Sequence, residues 1–256
     1  MPTSPADARP EPILVVEGIV AGYGGAPIVH GVDLRVAPGE VATVVGPNGA
    51  GKSTLMKAIT GQAHILDGHV RLEGADVTGL RGDQLARRGI GYVPQVNDVF
   101  PPLSVLENLE MGGYLLPRAQ VAGRVDEVLE VFPALAAMRS RTAGKLSGGE
   151  RKMLAIARVL MLRPRVVILD EPTSNLSPAF AREVLSTQVP ALAAAGSGVL
   201  LVEQKAAQAL AVGDWAYVLV AGQIQVSAAA SELLERADIG ELFLGRTPVG
   251  SSPGGP

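Results

Sequence analysis

Gly46-Pro47-Asn48-Gly49-Ala50-Gly51-Lys52-Ser53 meets the spacing G-x-x-x-x-G-K-[ST] at each fixed position. Glycines at 46, 49 and 51 let backbone N–H groups turn inward around an anion with no Cβ in the way. Lys52 can reach the outer phosphates of a nucleoside triphosphate, and the Ser53 hydroxyl is suited to ligate Mg²⁺. A second chemical group lies far along the chain, where Asp170 and Glu171 follow the apolar run Val166-Val167-Ile168-Leu169. An aspartate at that place suits a hydrated Mg²⁺, and the glutamate beside it suits a general base that polarises water.

These groups need a scaffold that brings them to one edge. Val41-Ala42-Thr43-Val44-Val45 is apolar, β-rich and bounded by Gly39 and Gly46, as a buried parallel strand would be. A helix is expected from Lys52 to about Thr60, with Gly61 as its left-handed terminator. Its N-terminus adds partial positive charge to the phosphate site, so the anion cradle extends from Gly46 to Thr54. The run at 166–169 reads as a second buried strand. It delivers Asp170 and Glu171 to the carboxyl edge of the sheet, where ligands collect in open α/β folds.

Leu146-Ser147-Gly148-Gly149-Glu150 opens another helix. Ser147 and Glu150 make an S-x-x-E capping box, and Met153, Leu154, Ala157 and Leu160 form an apolar stripe. Two glycines after the cap leave this helix start bare enough for a phosphate to rest on its N–H groups. A chain with one phosphate loop already has no second use for such a site within itself. Two sites make sense if they face each other across a dimer.

The segment Leu146 to Glu150, lying shortly before the acidic strand, resembles the signature motif of ATP-binding cassette (ABC) ATPases, and the resemblance runs from about Ile13 to Gly245. It implies an α/β fold of the P-loop NTPase type: a parallel core sheet, an antiparallel β layer and a helical subdomain. It implies ATP and Mg²⁺ as ligands. Tyr23, in Gly22-Tyr23-Gly24, resembles the aromatic that stacks on adenine. Asn48, Gly49, Ala50, Gly51, Lys52, Ser53 and Thr54 would hold the phosphates. Ser147, Gly148 and Gly149 would meet the γ-phosphate held by a second subunit. Gln95, in Tyr92-Val93-Pro94-Gln95, resembles the glutamine that touches Mg²⁺ and senses the transporter. Gln204, in Val202-Glu203-Gln204, stands at the switch position where histidine is usual, and Ser174 to Ser177 occupy the D-loop.

Within this family the chain resembles the ATP-binding subunits of branched-chain amino acid importers, of the type with glutamine at the switch position. Phe100 to Leu109, Met111-Gly112-Gly113-Tyr114 and Leu201 to Gln204 carry that resemblance. It implies import of branched-chain amino acids or a similar polar solute. The partners would be a second ATPase subunit, identical or related, two transmembrane permease subunits and, indirectly, an extracytoplasmic solute-binding protein. The place would be the cytoplasmic face of the cell membrane, peripherally bound. Val99 to Leu103 would help form the groove for a permease helix. Glutamine at 204 can hydrogen-bond a phosphate or water but carries no proton. Asn175 stands where the D-loop commonly has glycine, and asparagine tolerates a left-handed turn. These two departures motivate an alternative, a weakly hydrolysing regulatory cassette. A soluble ABC ATPase of DNA repair or translation is another.

Composition narrows the choice. The chain has 256 residues, 47% of them hydrophobic, a formal net charge of −3 and no cysteine. That fits one large α/β domain and does not suit a nucleic-acid partner, disulfides or thiol chemistry. A mean hydropathy of +0.28 with 18% charged residues fits an apolar surface awaiting partner subunits. No apolar run approaches a membrane span. Met1 to Pro12 and residues 246–256 read as disordered arms around a domain at 13–245. The three histidines lack metal-ligand spacing.

Alternating stretches at 13–36 and 70–74 predict the antiparallel layer, with core strands near 41–45, 90–94, 166–169 and 198–202. Helical periodicity between about 96 and 158 predicts the helical subdomain, Val105, Leu106 and Leu109 sharing one face and Val125, Val128, Leu129 and Phe132 another. Strands at 217–220 and 223–226 and a helix near 230–236, with Ser231 as its cap, close the chain.

Overall fold

A computed structural model describes residues 9–96 and 98–236. In chain order it contains strands β1 (Leu14–Tyr23), β2 (Ala26–Val36) and β3 (Val41–Val45), helix α1 (Lys52–Ile59), strands β4 (His64–Leu72) and β5 (Ala75–Asp76), helix α2 (Gly82–Arg88) and strand β6 (Ile90–Val93). Helices α3 (Val105–Gly112), α4 (Arg118–Val131), α5 (Pro133–Ala136) and α6 (Gly148–Leu160) follow, then strand β7 (Val166–Asp170) and helix α7 (Pro178–Glu183). A π-helical stretch at Val184–Gln188 joins α7 to α8 (Val189–Ala194). Strand β8 (Gly198–Glu203), helix α9 (Ala206–Leu210), strands β9 (Trp215–Val220) and β10 (Gln223–Ala229) and helix α10 (Ala230–Glu235) complete it.

Among the described residues these strands form two sheets. One is four-stranded and antiparallel, ordered β2-β1-β4-β5; the other is six-stranded, ordered β10-β9-β3-β8-β7-β6. The second is parallel from β9 to β6, and only β10 runs antiparallel, on β9. Every residue of β3, β7 and β8 is buried, which is why these strands are continuous apolar runs.

Side chains alternate across this sheet. Val167, Leu169, Val199 and Leu201 join a core with α6, α8 and the helices between 105 and 136. Val166, Ile168, Leu200 and Val202 join another with α1 and the antiparallel sheet. The parallel sheet is thus the middle layer, covered on both faces. Pairing of Asp170 with Val202 and of Val45 with Glu203 brings the carboxyl ends of β3, β7 and β8 into line, so the loops that follow them meet at one edge.

Two sequence expectations change. The sequence reads residues 9–12 as part of a disordered arm, yet Arg9 is tied down. Its guanidinium donates to both oxygens of Glu40 (2.6 and 2.7 Å) and to the Tyr217 hydroxyl (2.9 Å), and it lies 4.5 Å from the Trp215 ring centroid. A bidentate charged pair on a buried carboxylate outweighs the lack of apolar periodicity around it. Ser231 is not a cap, because α10 starts one residue earlier, with Ala229 as its N-cap. The expected tail at 246–256 lies outside the described residues.

Candidate functional site

The phosphate loop leaves β3 and enters α1, whose N-cap is Gly51 at φ +102°. That backbone is open to glycine and strained for any other residue. At Gly46 the constraint is space: a Cβ there would sit 2.0 Å from the Leu219 carbonyl oxygen. The loop is braced from outside by the Gly222 N–H, which donates to the Ala50 carbonyl (2.8 Å). Asn48 and Gly49 are exposed at the rim, while Ala50, Gly51 and Thr54 are buried. A concave, glycine-lined loop on a helix N-terminus fits a polyphosphate.

Lys52 is 4% exposed, and its Nζ donates to the carbonyls of Gly46 (2.8 Å) and Pro47 (3.1 Å). It lies 3.9 Å from Glu171 Oε1. Burial pushes its pKa down, and the neighbouring carboxylates of Glu171, Asp170 and Glu203 oppose that shift. The ammonium is therefore already aimed along the loop toward the acidic pair.

Asp170 ends β7 at 3% exposure. Its Oδ2 accepts from the Tyr92 hydroxyl (3.2 Å), whereas its buried Oδ1 has no hydrogen-bond partner among the described residues. Burial raises the Asp170 pKa, with the Tyr92 bond opposing. A buried carboxylate oxygen without a partner is costly unless a cation or its water shell supplies one. Ser53, Tyr92, Gln95 and Asp170 line one cleft of 450 Å³. A hydroxyl and a carboxylate around one cleft are the hard oxygen donors that Mg²⁺ prefers, so these residues fit the ion.

Glu171 is the next residue and adopts φ +45°, unusual for a residue with a side chain. Its N–H donates to the Val202 carbonyl (2.9 Å), which fixes the turn as the chain leaves the sheet. Its Oε2 accepts from Gln95 Nε2 at 2.9 Å, so the loop after β6 and the acidic end of β7 are joined directly. Gln204 is exposed, two residues beyond the Val202 that pairs with Asp170. Beside it Glu203 is buried, and its Oε1 accepts from the Thr173 N–H (3.0 Å). Tyr23 lies at the end of β1, 47% exposed.

The second helix start stands apart. Ser147 caps α6, accepting from the Glu150 N–H (3.3 Å), while the Glu150 carboxylate accepts from the Ser147 N–H (2.6 Å). Gly148 lies close to Leu176 and Asn175, and Gly149 lies against the Phe180 ring. No described hydrogen bond or ion pair joins Ser147, Gly148 or Gly149 to the loop Gly46–Ser53 of the same chain. Asn175 does take the left-handed turn, at φ +60°.

The sequence reading did not single out two contributors. Tyr92 is the hydroxyl partner of Asp170, and its signal was its place on β6, hydrogen-bonded to β7 in parallel register. Lys152, buried on α6, reaches the loop that carries Gln95. A lone lysine gives no sequence sign of that contact.

A parallel sheet that delivers a glycine cradle, a buried lysine and an acidic pair to one edge defines a nucleoside triphosphatase. Comparison with known proteins gives the particular kind. The family profile "ABC transporter" matches residues 29–174. The "Probable branched-chain amino acid transport ATP-binding protein LivF" of Archaeoglobus fulgidus is 41% identical over 225 residues, 88% of this chain and 95% of its own. The "High-affinity branched-chain amino acid transport ATP-binding protein BraG" of Pseudomonas aeruginosa is 39% identical, over 87% of this chain and 95% of its own. Among solved structures, the ADP conformation of MJ1267, an ATP-binding cassette of an ABC transporter, superposes with a TM-score of 0.83 at 30% identity, covering 93% of this chain and 100% of that one. The chain belongs to the ABC transporter family; it binds nucleotide and hydrolyses ATP.

Proposed function

We propose that this protein powers an importer for branched-chain amino acids or a similar polar solute. The two relatives named for branched-chain amino acid transport, matched along nearly their whole length, carry the choice of solute. In this reading the protein sits peripherally on the cytoplasmic face of the membrane. It works as a pair with an identical or related subunit, beneath two permease subunits fed by an extracytoplasmic solute-binding protein. Among the described residues no helix is long and apolar enough to cross a membrane. Nucleic acid has no part in this reading.

The site residues take these roles. Tyr23 stacks on adenine. Backbone N–H groups from Gly46 to Thr54, with Lys52, bind the phosphates. Ser53 and Asp170, with Gln95 at the edge of the same cleft, would hold Mg²⁺, which would supply charge neutralisation on the phosphate oxygens. Glu171 accepts the proton of the attacking water, Gln95 orients the Glu171 carboxylate, and Gln204 hydrogen-bonds the water or the γ-phosphate. Ser147, Gly148 and Gly149 of the partner subunit complete the cradle. Closure of the pair is favoured because a triphosphate makes contacts in the closed state that a diphosphate lacks. Exposed Met111 and Tyr114 flank a groove of 250 Å³ shared with Arg158 and Leu85, and exposed Phe100 stacks on Arg158. This groove receives a permease helix.

The test is isolation of the complex from membranes, followed by uptake of labelled leucine, isoleucine and valine. Copurifying permeases and uptake that stops in Glu171→Gln support the reading. Copurification with nucleic acid and no membrane protein overturns it.

A further inference from the structure

Lys152 is 4% exposed on α6, five residues beyond the Ser147 cap. Its three ammonium hydrogens have three acceptors: the Pro94 carbonyl (3.1 Å), the Gln95 carbonyl (3.3 Å) and Asp98 Oδ2 (2.6 Å). All three belong to the loop that follows β6. Asp98 is held from its other side as well, because its carbonyl accepts from Arg158 Nη1 at 2.5 Å, and the Arg158 guanidinium lies 4.5 Å from the Phe100 ring centroid. The Lys152 ammonium thus grips the backbone on which the Gln95 side chain is mounted, and that side chain donates to Glu171.

Burying a lysine costs free energy unless its partners are well placed. Here all the partners lie on one loop; farther along it Arg158 holds the Asp98 carbonyl and Asn108 holds the Phe100 backbone, whereas Lys152 is the side chain that reaches the Pro94 and Gln95 carbonyls. Gln95 and Val96 are exposed and belong to no strand or helix. The amide of Gln95 has to be aimed at the Glu171 carboxylate, and a loop with free torsions would not keep it there.

We propose that Lys152 is a positioning residue for hydrolysis: paired with Asp98, it fastens the Gln95 loop to the helix that begins with the bare glycines, and so sets the Gln95 amide on Glu171. The inference rests on the hydrolytic roles of Gln95 and Glu171 above. It adds a direct mechanical link between the helix that faces the partner subunit's nucleotide and the general base of this chain's own site. Displacement of α6 by the partner, or of Arg158 by a permease helix at Phe100, reaches Glu171 through the same ammonium.

The experiment uses the full-length chain in the complex isolated from membranes, with Lys152→Met, Asp98→Asn and the double variant. Binding of Mg-ATP, steady-state turnover and thermal unfolding are measured for each. A misplaced group far from the chemistry costs on the order of 10- to 100-fold in rate. That loss is expected in turnover for both single variants, with Mg-ATP affinity within about threefold of the parent. The double variant is expected to lose no more than the worse single one, because the two residues act as one clamp. Asp98→Asn is the less buried change and carries the test if Lys152→Met fails to fold. Parental turnover in both singles overturns the proposal, as does a loss that falls equally on affinity, unfolding temperature and turnover. Glu171→Gln run beside them separates the two layers. If it abolishes turnover while the clamp variants are unaffected, only the clamp is wrong; if it retains turnover, the hydrolytic assignment fails and the clamp with it.

Discussion

Gln95 Nε2 lies 2.9 Å from Glu171 Oε2, joining residues 76 positions apart at the mouth of the phosphate site. The bond couples the residue assigned to water activation with the loop that follows β6, whose Asp98 carbonyl accepts from Arg158 of the exposed groove. Glu171 is also held by its backbone, at φ +45° with its N–H bonded to the Val202 carbonyl. A carboxylate fixed from both ends is pre-oriented for general-base work.

Glu171→Gln keeps the side-chain shape and an acceptor for Gln95 but removes the base. Turnover is expected to fall by about 10²- to 10⁴-fold. Mg-ATP binding should survive, and the ATP-bound pair should persist as a closed dimer in solution scattering. Undiminished steady-state turnover would remove Glu171 from its role.

Phe100→Asp addresses the groove. The new carboxylate would stand beside Arg158, whose Nε has no hydrogen-bond partner among the described residues, so the fold should tolerate it to within about 1 kcal/mol. Membrane recruitment is expected to weaken while Mg-ATP binding stays at the parental level. Membrane flotation and nucleotide titration read the two effects separately, and equal loss of both would count against a docking role.

Glu203 gives a pH prediction. Burial holds its carboxyl above the ordinary value of 4.5, against the bond from the Thr173 N–H. Such a group binds its proton more tightly folded than unfolded. The stability tied to that proton is complete below 4.5 and is lost as pH rises through the raised folded value. Glu203→Gln retains an acceptor for Thr173 and removes the ionisation. In thermal unfolding across pH 4 to 8, the variant should gain on the parent as pH rises and lose that advantage at the acid end. A parent that gains on the variant with rising pH would contradict the assignment.

The parts of the site legible in the sequence are those with local causes. The Gly46–Ser53 cradle, the apolar strands behind it and the Ser147–Glu150 capping box each follow from residues within a few positions of one another. The left-handed Asn175 was foreseeable from its side chain alone. What stayed hidden are long-range polar pairings. Arg9 finds Glu40, Tyr92 finds Asp170 and Lys152 finds Asp98, and nothing in the residues around any of them names its partner. Periodicity reports which face of an element is apolar, not which charge on another element it will meet. Ser231 was misread because serine suits a cap in general, whereas the turn out of β10 places Ala229 there.

The pairing of subunits can be tested by complementation. Lys52→Ala disables a chain's phosphate loop and leaves its helix start intact. Gly149→Ala does the reverse: its Cβ would lie 2.3 Å from Phe180 Cδ1, so the start of α6 or the ring must shift. Ser147→Phe, at an exposed position, is a second way to block the helix start while leaving the core alone. Each variant alone should hydrolyse ATP poorly. A mixed dimer, however, pairs the intact loop of the Gly149→Ala chain with the intact helix start of the Lys52→Ala chain and so rebuilds one whole site. Turnover of the mixture is expected to rise well above that of either component. A site contained within one chain predicts no such rise, so a mixture no more active than its parts would show that Ser147 to Gly149 do not serve the neighbouring nucleotide.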